Sequence, residues 1–181
     1  MTVFVSGGAK SGKSSFAQDL AVALAGSGKR YYVATMISSG QEDDERIRRH
    51  IADRAGLGFE TIECGENILS CLDIADPNST FLVDSATALL QNAVFPAEKN
   101  YEMNLEAAGR CADTLVEFIH KVQNAVVVSD YIYSDAECYD EGTEMYRKCL
   151  ADLDRRLAGV CDTVVEAAAG QITVHKGDLR I

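Results

Sequence analysis

The sequence predicts an α/β domain in which a central, mostly parallel sheet is flanked by helices, and three features predict it. Apolar runs of strand type alternate with stretches of helical periodicity along the chain. The first run, Thr2-Val3-Phe4-Val5-Ser6, leads directly into Gly7-Gly8-Ala9-Lys10-Ser11-Gly12-Lys13-Ser14, which fits the pattern G-x-x-x-x-G-K-[ST]. Strand, helix and strand then follow within about thirty residues, the length of a right-handed βαβ unit.

The loop of residues 7–14 is a phosphate cradle by composition. Glycines at 7, 8 and 12 let the backbone curl so that successive N–H groups point inward and form an anion nest. The helix beginning near Lys13, with Phe16, Leu20, Ala23 and Leu24 at helical spacing, adds its positive dipole end. The Lys13 ammonium is expected to reach the β- and γ-phosphates of a nucleoside triphosphate, and the Ser14 hydroxyl to ligate Mg²⁺.

Further along, Gly26-Ser27-Gly28 stops the first helix and Arg30–Thr35 reads as a second strand. Ser38-Ser39-Gly40 reads as a turn and cap. A helix over residues 42–55 follows, with acid in its first turn and an end near Gly56 and Gly58. Phe59–Glu63 alternates like a strand, and a short helix is expected over 66–75 before the turn Asp76-Pro77-Asn78-Ser79. Thr80-Phe81-Leu82-Val83-Asp84 is an apolar run ending in a carboxylate. A parallel strand delivers its last side chain to the ligand-binding edge of the sheet. Asp84 therefore reads either as a partner of Mg²⁺, through a water, or as a helix-capping aspartate. A helix over 101–122, a buried strand over 125–129, a tyrosine-rich loop over 130–142 and a helix over 143–158 come next. Residues 162–166 and 171–175 read as a closing hairpin or strand pair.

Composition limits the function classes. The 181 residues, 47% hydrophobic with two prolines, suit one globular domain, 1–181. A formal charge of −11 argues against a nucleic-acid or membrane-surface binder, because tracking phosphates needs a basic excess. No apolar run approaches the roughly 18 residues of a membrane span, and the first residues read as a strand rather than a signal sequence. Cysteines 64, 71, 111, 138, 149 and 161 contain no C-x-x-C pair, a pattern that suits reduced, buried or half-buried thiols in a cytoplasm.

The helix over 42–55 carries a second chemical feature. Arg46, His50 and Arg54 lie four apart and share a face, with Arg49 and Asp53 beside them, while Ile47 and Ile51 lie elsewhere and are expected to anchor the helix. Two readings stand. Either this is a solvated charged face, or neutral His50 attacks an α-phosphorus while guanidinium groups bind the phosphates. In the second case Asp53 or a first-turn acid is expected to orient the ring. His120 and His175 lack metal-ligand spacing and read as structural or surface residues. Tyr131, Tyr133, Tyr139 and Tyr146 read as amphipathic cover or as a stacking surface.

Taken together, Gly7–Ala17, Tyr32-Val33-Ala34-Thr35 and Arg46-Ile47-Arg48-Arg49-His50 resemble, in order and interval, the motifs of the bifunctional adenosylcobinamide kinase/adenosylcobinamide-phosphate guanylyltransferase family. The resemblance continues through Thr61 and Glu63, Leu82-Val83-Asp84 with Thr87 and Asn92, Val126–Ser129 and Arg147. It implies a RecA-like P-loop fold, commonly a homotrimer, with Thr35 and Glu63 joining the phosphate loop, Arg46, Arg49 and Asp84 at the nucleotide. It also implies two activities. A nucleoside triphosphate, GTP or ATP, phosphorylates adenosylcobinamide; then His50 is guanylylated by GTP and passes GMP to adenosylcobinamide phosphate. The chain departs from the family where Asn-Glu-Val-Gly is usual and Asp130-Tyr131-Ile132-Tyr133 stands, with Ser134–Glu137 after it. Phe59 and Leu89 replace tryptophans, and Asp154-Arg155 replaces Asn-Gln. These departures bear on corrinoid and base recognition more than on triphosphate binding. They leave a small-metabolite kinase and a nucleotide-dependent regulatory protein as rival readings.

Overall fold

The computed structural model describes residues 1–38, 40–133 and 137–179. Its strands are β1 Thr2–Gly7, β2 Arg30–Ala34, β3 Glu60–Glu63, β4 Thr80–Asp84, β5 Asn124–Asp130, β6 Thr163–Ala168 and β7 Gln171–Lys176. They form one sheet in the order β3-β2-β4-β5-β1-β6-β7. Every pairing is parallel except that of β6 with β7. Consecutive residues of β1, Val3, Phe4 and Val5, are all buried, as in a parallel strand covered on both faces.

The covering helices are α1 Lys13–Ala25 on one face, and α3 Ala86–Val94, α4 Leu105–Lys121 and α5 Glu141–Val160 on the other. Ala17, Leu20 and Ala21 of α1 pack with Val3, Val5, Leu82, Val126 and Val128. On the opposite face Phe81 is fully buried, stacked on Tyr31 and edge-on to Phe118, each at a centroid separation of 5.3 Å. Helix α2, Gln41–Asp53, stands apart because none of its residues is buried. Ile51 is 51% exposed and Ile47 only half-buried, which corrects the expectation that the two isoleucines anchor it. The attachment lies just beyond its end. Arg54 stacks over the Tyr32 ring at 4.1 Å and donates to the Thr61 hydroxyl at 3.2 Å.

Several elements differ from expectation. The sequence reading had no helix at Ala86–Val94, which Ser85 caps by accepting from the Ala88 N–H at 3.2 Å. The segment expected as a helix over 66–75 is a 3₁₀ run, Ile68–Asp73. Helix α4 begins at Leu105 because Asn104 caps it. The closing hairpin forms as expected, its turn made by Ala169 and Gly170 at φ 50° and 75°, the left-handed pair that a tight two-residue turn requires. Cys138 is exposed, unlike the buried thiols expected. Part of the expected turn at 38–40 and of the departing segment 130–137, namely Ser39 and Ser134–Ala136, lies outside the described residues.

One buried acid stands out between β5 and α5. Asp154 is 4% exposed and accepts from the Tyr133 hydroxyl at 2.8 Å. Burial pushes its carboxyl up to about 6, against opposing hydrogen bonds from Ser129 and Tyr133 and with the added charge of Asp130.

Two expectations follow from this packing. Leu89→Ala, in fully buried surroundings, lowers unfolding free energy by about 3 kcal/mol with little change in the urea m-value. Because the folded pKa of Asp154 lies above its unfolded value, the native state holds a proton that the unfolded chain releases, and stability declines as pH rises from about 4 to about 6. Asp154→Asn removes that decline, so urea titrations show the variant gaining about 2 kcal/mol on the wild type between pH 4 and pH 7.

Candidate active site

The phosphate loop is shaped by contacts that only small residues allow. A Cβ on Gly7 would lie 2.6 Å from the Ala167 carbonyl oxygen and 2.7 Å from the Ser11 hydroxyl, so β1 can turn here only as glycine. Gly12, at φ 91°, sets the left-handed residue from which α1 departs. Ser85, Asn104 and Asp140 cap α3, α4 and α5, but no side chain caps α1. Its first-turn N–H groups are thus directed to whatever anion the loop cradles. Lys13 is 6% exposed; its ammonium donates to the Gly8 carbonyl at 3.1 Å and pairs with the Asp130 carboxylate at 2.5 Å.

A cavity of about 810 Å³ opens over this loop. It is lined by Ala9, Lys10, Ser11, Gly12, Lys13 and Ser14 from one side and by Arg46, Arg49 and His50 of α2 from the other, with Asp84 and Asp130 from the strand ends. A second cavity, of about 370 Å³, shares Arg46, His50 and Asp84 and adds Tyr32, Arg54 and Glu63. His50 therefore borders both the space over the phosphate loop and a more apolar one. Thr35 does not face either. It is fully buried, its hydroxyl donating to the Ser85 carbonyl at 2.8 Å and accepting from the Ser85 N–H at 2.7 Å. Asn92 ties the Thr35 carbonyl to that of Gly65 at 2.8 and 2.7 Å, so Thr35 positions the ends of β2 and β4.

Asp84, Tyr32 and His50 form the most specific cluster. The Tyr32 hydroxyl donates to Asp84 Oδ2 at 2.9 Å. His50 Nδ1 lies 3.5 Å from the same oxygen and 3.4 Å from the Tyr32 hydroxyl. Burial and the Asp84 charge raise the Tyr32 phenol far above its ordinary range, so it remains a donor. The acid facing the ring is thus Asp84, not Asp53 or a first-turn carboxylate of α2 as the sequence suggested. A proton on Nδ1, facing Asp84, leaves Nε2 as the ring's lone-pair nitrogen, the arrangement a nucleophilic imidazole needs. Sequence reasoning missed Tyr32 as a site residue; its signal was a hydroxyl-bearing aromatic at a fully buried strand position. Arg54 was placed on the right face of the helix, but its contact is with Tyr32.

The donor chemistry suits Mg²⁺ bound with a polyphosphate. Ser14 and Asp84 line the same cavity and offer hydroxyl and carboxylate oxygens, hard ligands. Among the described residues, no group of three or more His, Cys, Asp or Glu gathers into a metal cage. A Mg²⁺ here would take the rest of its shell from phosphate oxygens and water, as this ion commonly does.

The family model described as cobinamide kinase / cobinamide phosphate guanyltransferase matches residues 3–174. No curated protein gives a sequence match. Among solved structures, the chain is similar to a prototypical ATPase from the type III secretion system of pathogenic bacteria, at 9% identity and a TM-score of 0.56, over 91% of this chain and 50% of that one. It is also similar to a protein from Pyrococcus horikoshii OT3, at 12% identity and a TM-score of 0.51, over 97% of this chain and 86% of that one. At such identities the likeness concerns the fold, which is a RecA-like P-loop α/β fold.

Proposed function

Because the chain belongs to the cobinamide kinase/cobinamide phosphate guanyltransferase family, an enzyme family of cobinamide metabolism, we propose that it carries out two successive transfers. In the first, a nucleoside triphosphate, GTP or ATP, phosphorylates the aminopropanol hydroxyl of adenosylcobinamide. In the second, GMP passes from GTP through His50 to adenosylcobinamide phosphate, giving adenosylcobinamide-GDP. The observation that carries this reading is His50 itself: its Nδ1 faces Asp84 and Tyr32 while its ring borders the phosphate-loop cavity.

The residues have distinct tasks in the guanylyl step. The loop backbone and Lys13 hold the polyphosphate, and Arg46 and Arg49 offset charge developing on the α-phosphoryl group. His50 Nε2 forms a bond to the α-phosphorus as the bond to the bridging oxygen breaks and pyrophosphate leaves with that electron pair. A phosphate oxygen of the corrinoid then attacks the same phosphorus, and the P–N bond breaks to return neutral His50. Asp84 stabilises the Nδ1 proton throughout, and the Tyr32 hydroxyl holds Asp84 in place. Bound at Ser14 and Asp84, Mg²⁺ would neutralise phosphate charge and favour the leaving group. Glu63, on the second cavity, is available to accept from a base N–H. The reading includes a homotrimer and a cytoplasmic setting; no described helix is long and apolar enough to cross a membrane.

Incubation with Mg²⁺ and GTP labelled at the α-phosphate tests the nucleophile directly. The expected result is covalent label that survives denaturation, is acid-labile and alkali-stable, and vanishes in His50→Ala. Active, GTP-binding protein that takes up no α-label would remove His50 as nucleophile. Tyr32→Phe keeps the stack under Arg54 but loses the donor to Asp84, and is expected to slow labelling about 10- to 100-fold in single-turnover assays.

A further inference from the structure

We propose that Asp130 is the catalytic base of the phosphoryl transfer, and that a third cavity, on its far side from the phosphate loop, receives the alcohol it deprotonates. This rests on the kinase half of the function proposed above. Sheet order supplies the first argument. Strand β5 lies between β1, which feeds the phosphate loop, and β4, which ends in Asp84. In register Gly7 pairs with Asp130 and Asp84 with Val128, so Asp130 extends beyond the end of β4 into the space between loop and metal-type carboxylate.

The cavities supply the second argument. Asp130 lines the phosphate-loop cavity and also an adjoining one of about 320 Å³, whose walls include Thr87, Gln91, Phe95 and Tyr101. Of the residues common to both, Asp43, Arg46 and Asp130, only Asp130 comes from the sheet. Tyr101, 61% exposed at this cavity, offers an aromatic face to a large acceptor. The backbone at Asp130 is fixed: its N–H donates to the Thr87 hydroxyl at 2.8 Å, which is 3.2 Å from the Ser129 hydroxyl, and its carboxylate is held by Lys13. A group at the junction of a triphosphate space and an acceptor space is where a hydroxyl in line with the γ-phosphorus would lie.

Chemistry supplies the third. A carboxylate beside a triphosphate repels it, a cost that an amide at the same position would avoid, but unlike an amide it can accept a proton from an alcohol. Here Asp130 pairs with Lys13, and a bound phosphate competes for that ammonium, freeing the carboxylate for the incoming alcohol. The alcohol oxygen forms a bond to the γ-phosphorus while its proton passes to Asp130. The bond to the β,γ-bridging oxygen breaks, its electron pair leaves with the nucleoside diphosphate, and Asp130 then returns its proton to water.

The test follows γ-label from ATP and from GTP to adenosylcobinamide in wild type, Asp130→Asn and Asp130→Ala, with nucleotide binding measured by thermal shift. Asp130→Asn is expected to lower kcat at least about 100-fold while nucleotide binding is retained or tightened, because the amide neither repels the triphosphate nor competes with it for Lys13. Added formate is expected to restore turnover to Asp130→Ala, a rescue that a structural role would not give. Tyr101→Ala is expected to raise KM for the corrinoid about tenfold with nucleotide KM unchanged; an unchanged corrinoid KM overturns the acceptor cavity. The base assignment is overturned by Asp130→Asn turning over within about fivefold of wild type, by loss of nucleotide binding together with turnover, or by formate having no effect. Wild-type protein that binds nucleotide but phosphorylates no adenosylcobinamide overturns the kinase reading itself, and this inference with it.

Discussion

The constraint on which the rest depends is that six strands run parallel, their central members covered on both faces, so that their carboxyl ends all emerge at one edge. Backbone pairing leaves no freedom in this. Once Val3, Val5, Phe81, Val83, Val126 and Val127 are buried, Gly7, Asp84 and Asp130 must arrive together at the same rim. Residues separated by dozens of positions thereby become neighbours, and the ligand crevice is a consequence of topology.

Charge at that rim is arranged in two opposed sets. The phosphate loop, Lys13 and the arginines of α2 create an anion site, while Asp84 and Asp130 place carboxylates inside it. Each acid is compensated in its own way. Asp130 is held by Lys13, and Asp84 by the Tyr32 hydroxyl and the His50 ring. In the reaction proposed, a phosphate ligand displaces one ionic contact to gain another, which would tie ligand binding to the release of Asp130. Asp84, by contrast, can keep its contact with Nδ1 while its carboxylate also faces a cation.

Helix α2 contributes chemistry without contributing core. Its residues are all at least partly exposed, and its end is fixed by Arg54 across the Tyr32 ring rather than by isoleucine burial. Its histidine is thus held through Tyr32 and Asp84, two groups anchored in the sheet, so the precision of the site comes from the strands. The division between a rigid sheet edge and a polar helix laid against it suits the nucleophilic role proposed for His50.

Local pattern alone determined the phosphate loop, the succession of strands and most helices along the chain, and the candidate status of Lys13, Ser14 and Asp84. Each of these is encoded by short-range periodicity or by a motif whose spacing is itself the chemistry, whereas His50 rose above a solvated charged face only through the family resemblance. Helix α3 escaped notice because its nine residues, from Ala86 to Val94, are apolar on a face that continues the preceding buried run, so no change of period marks its start. The tertiary structure alone decided that Asp84 rather than Asp53 faces the histidine, that Tyr32 joins them, that Thr35 lies behind the cavities, and that Asp130 stands between two of them. Those relations depend on which strands are neighbours and on the register between them. Neither is written in any stretch of the chain shorter than the sheet that joins them.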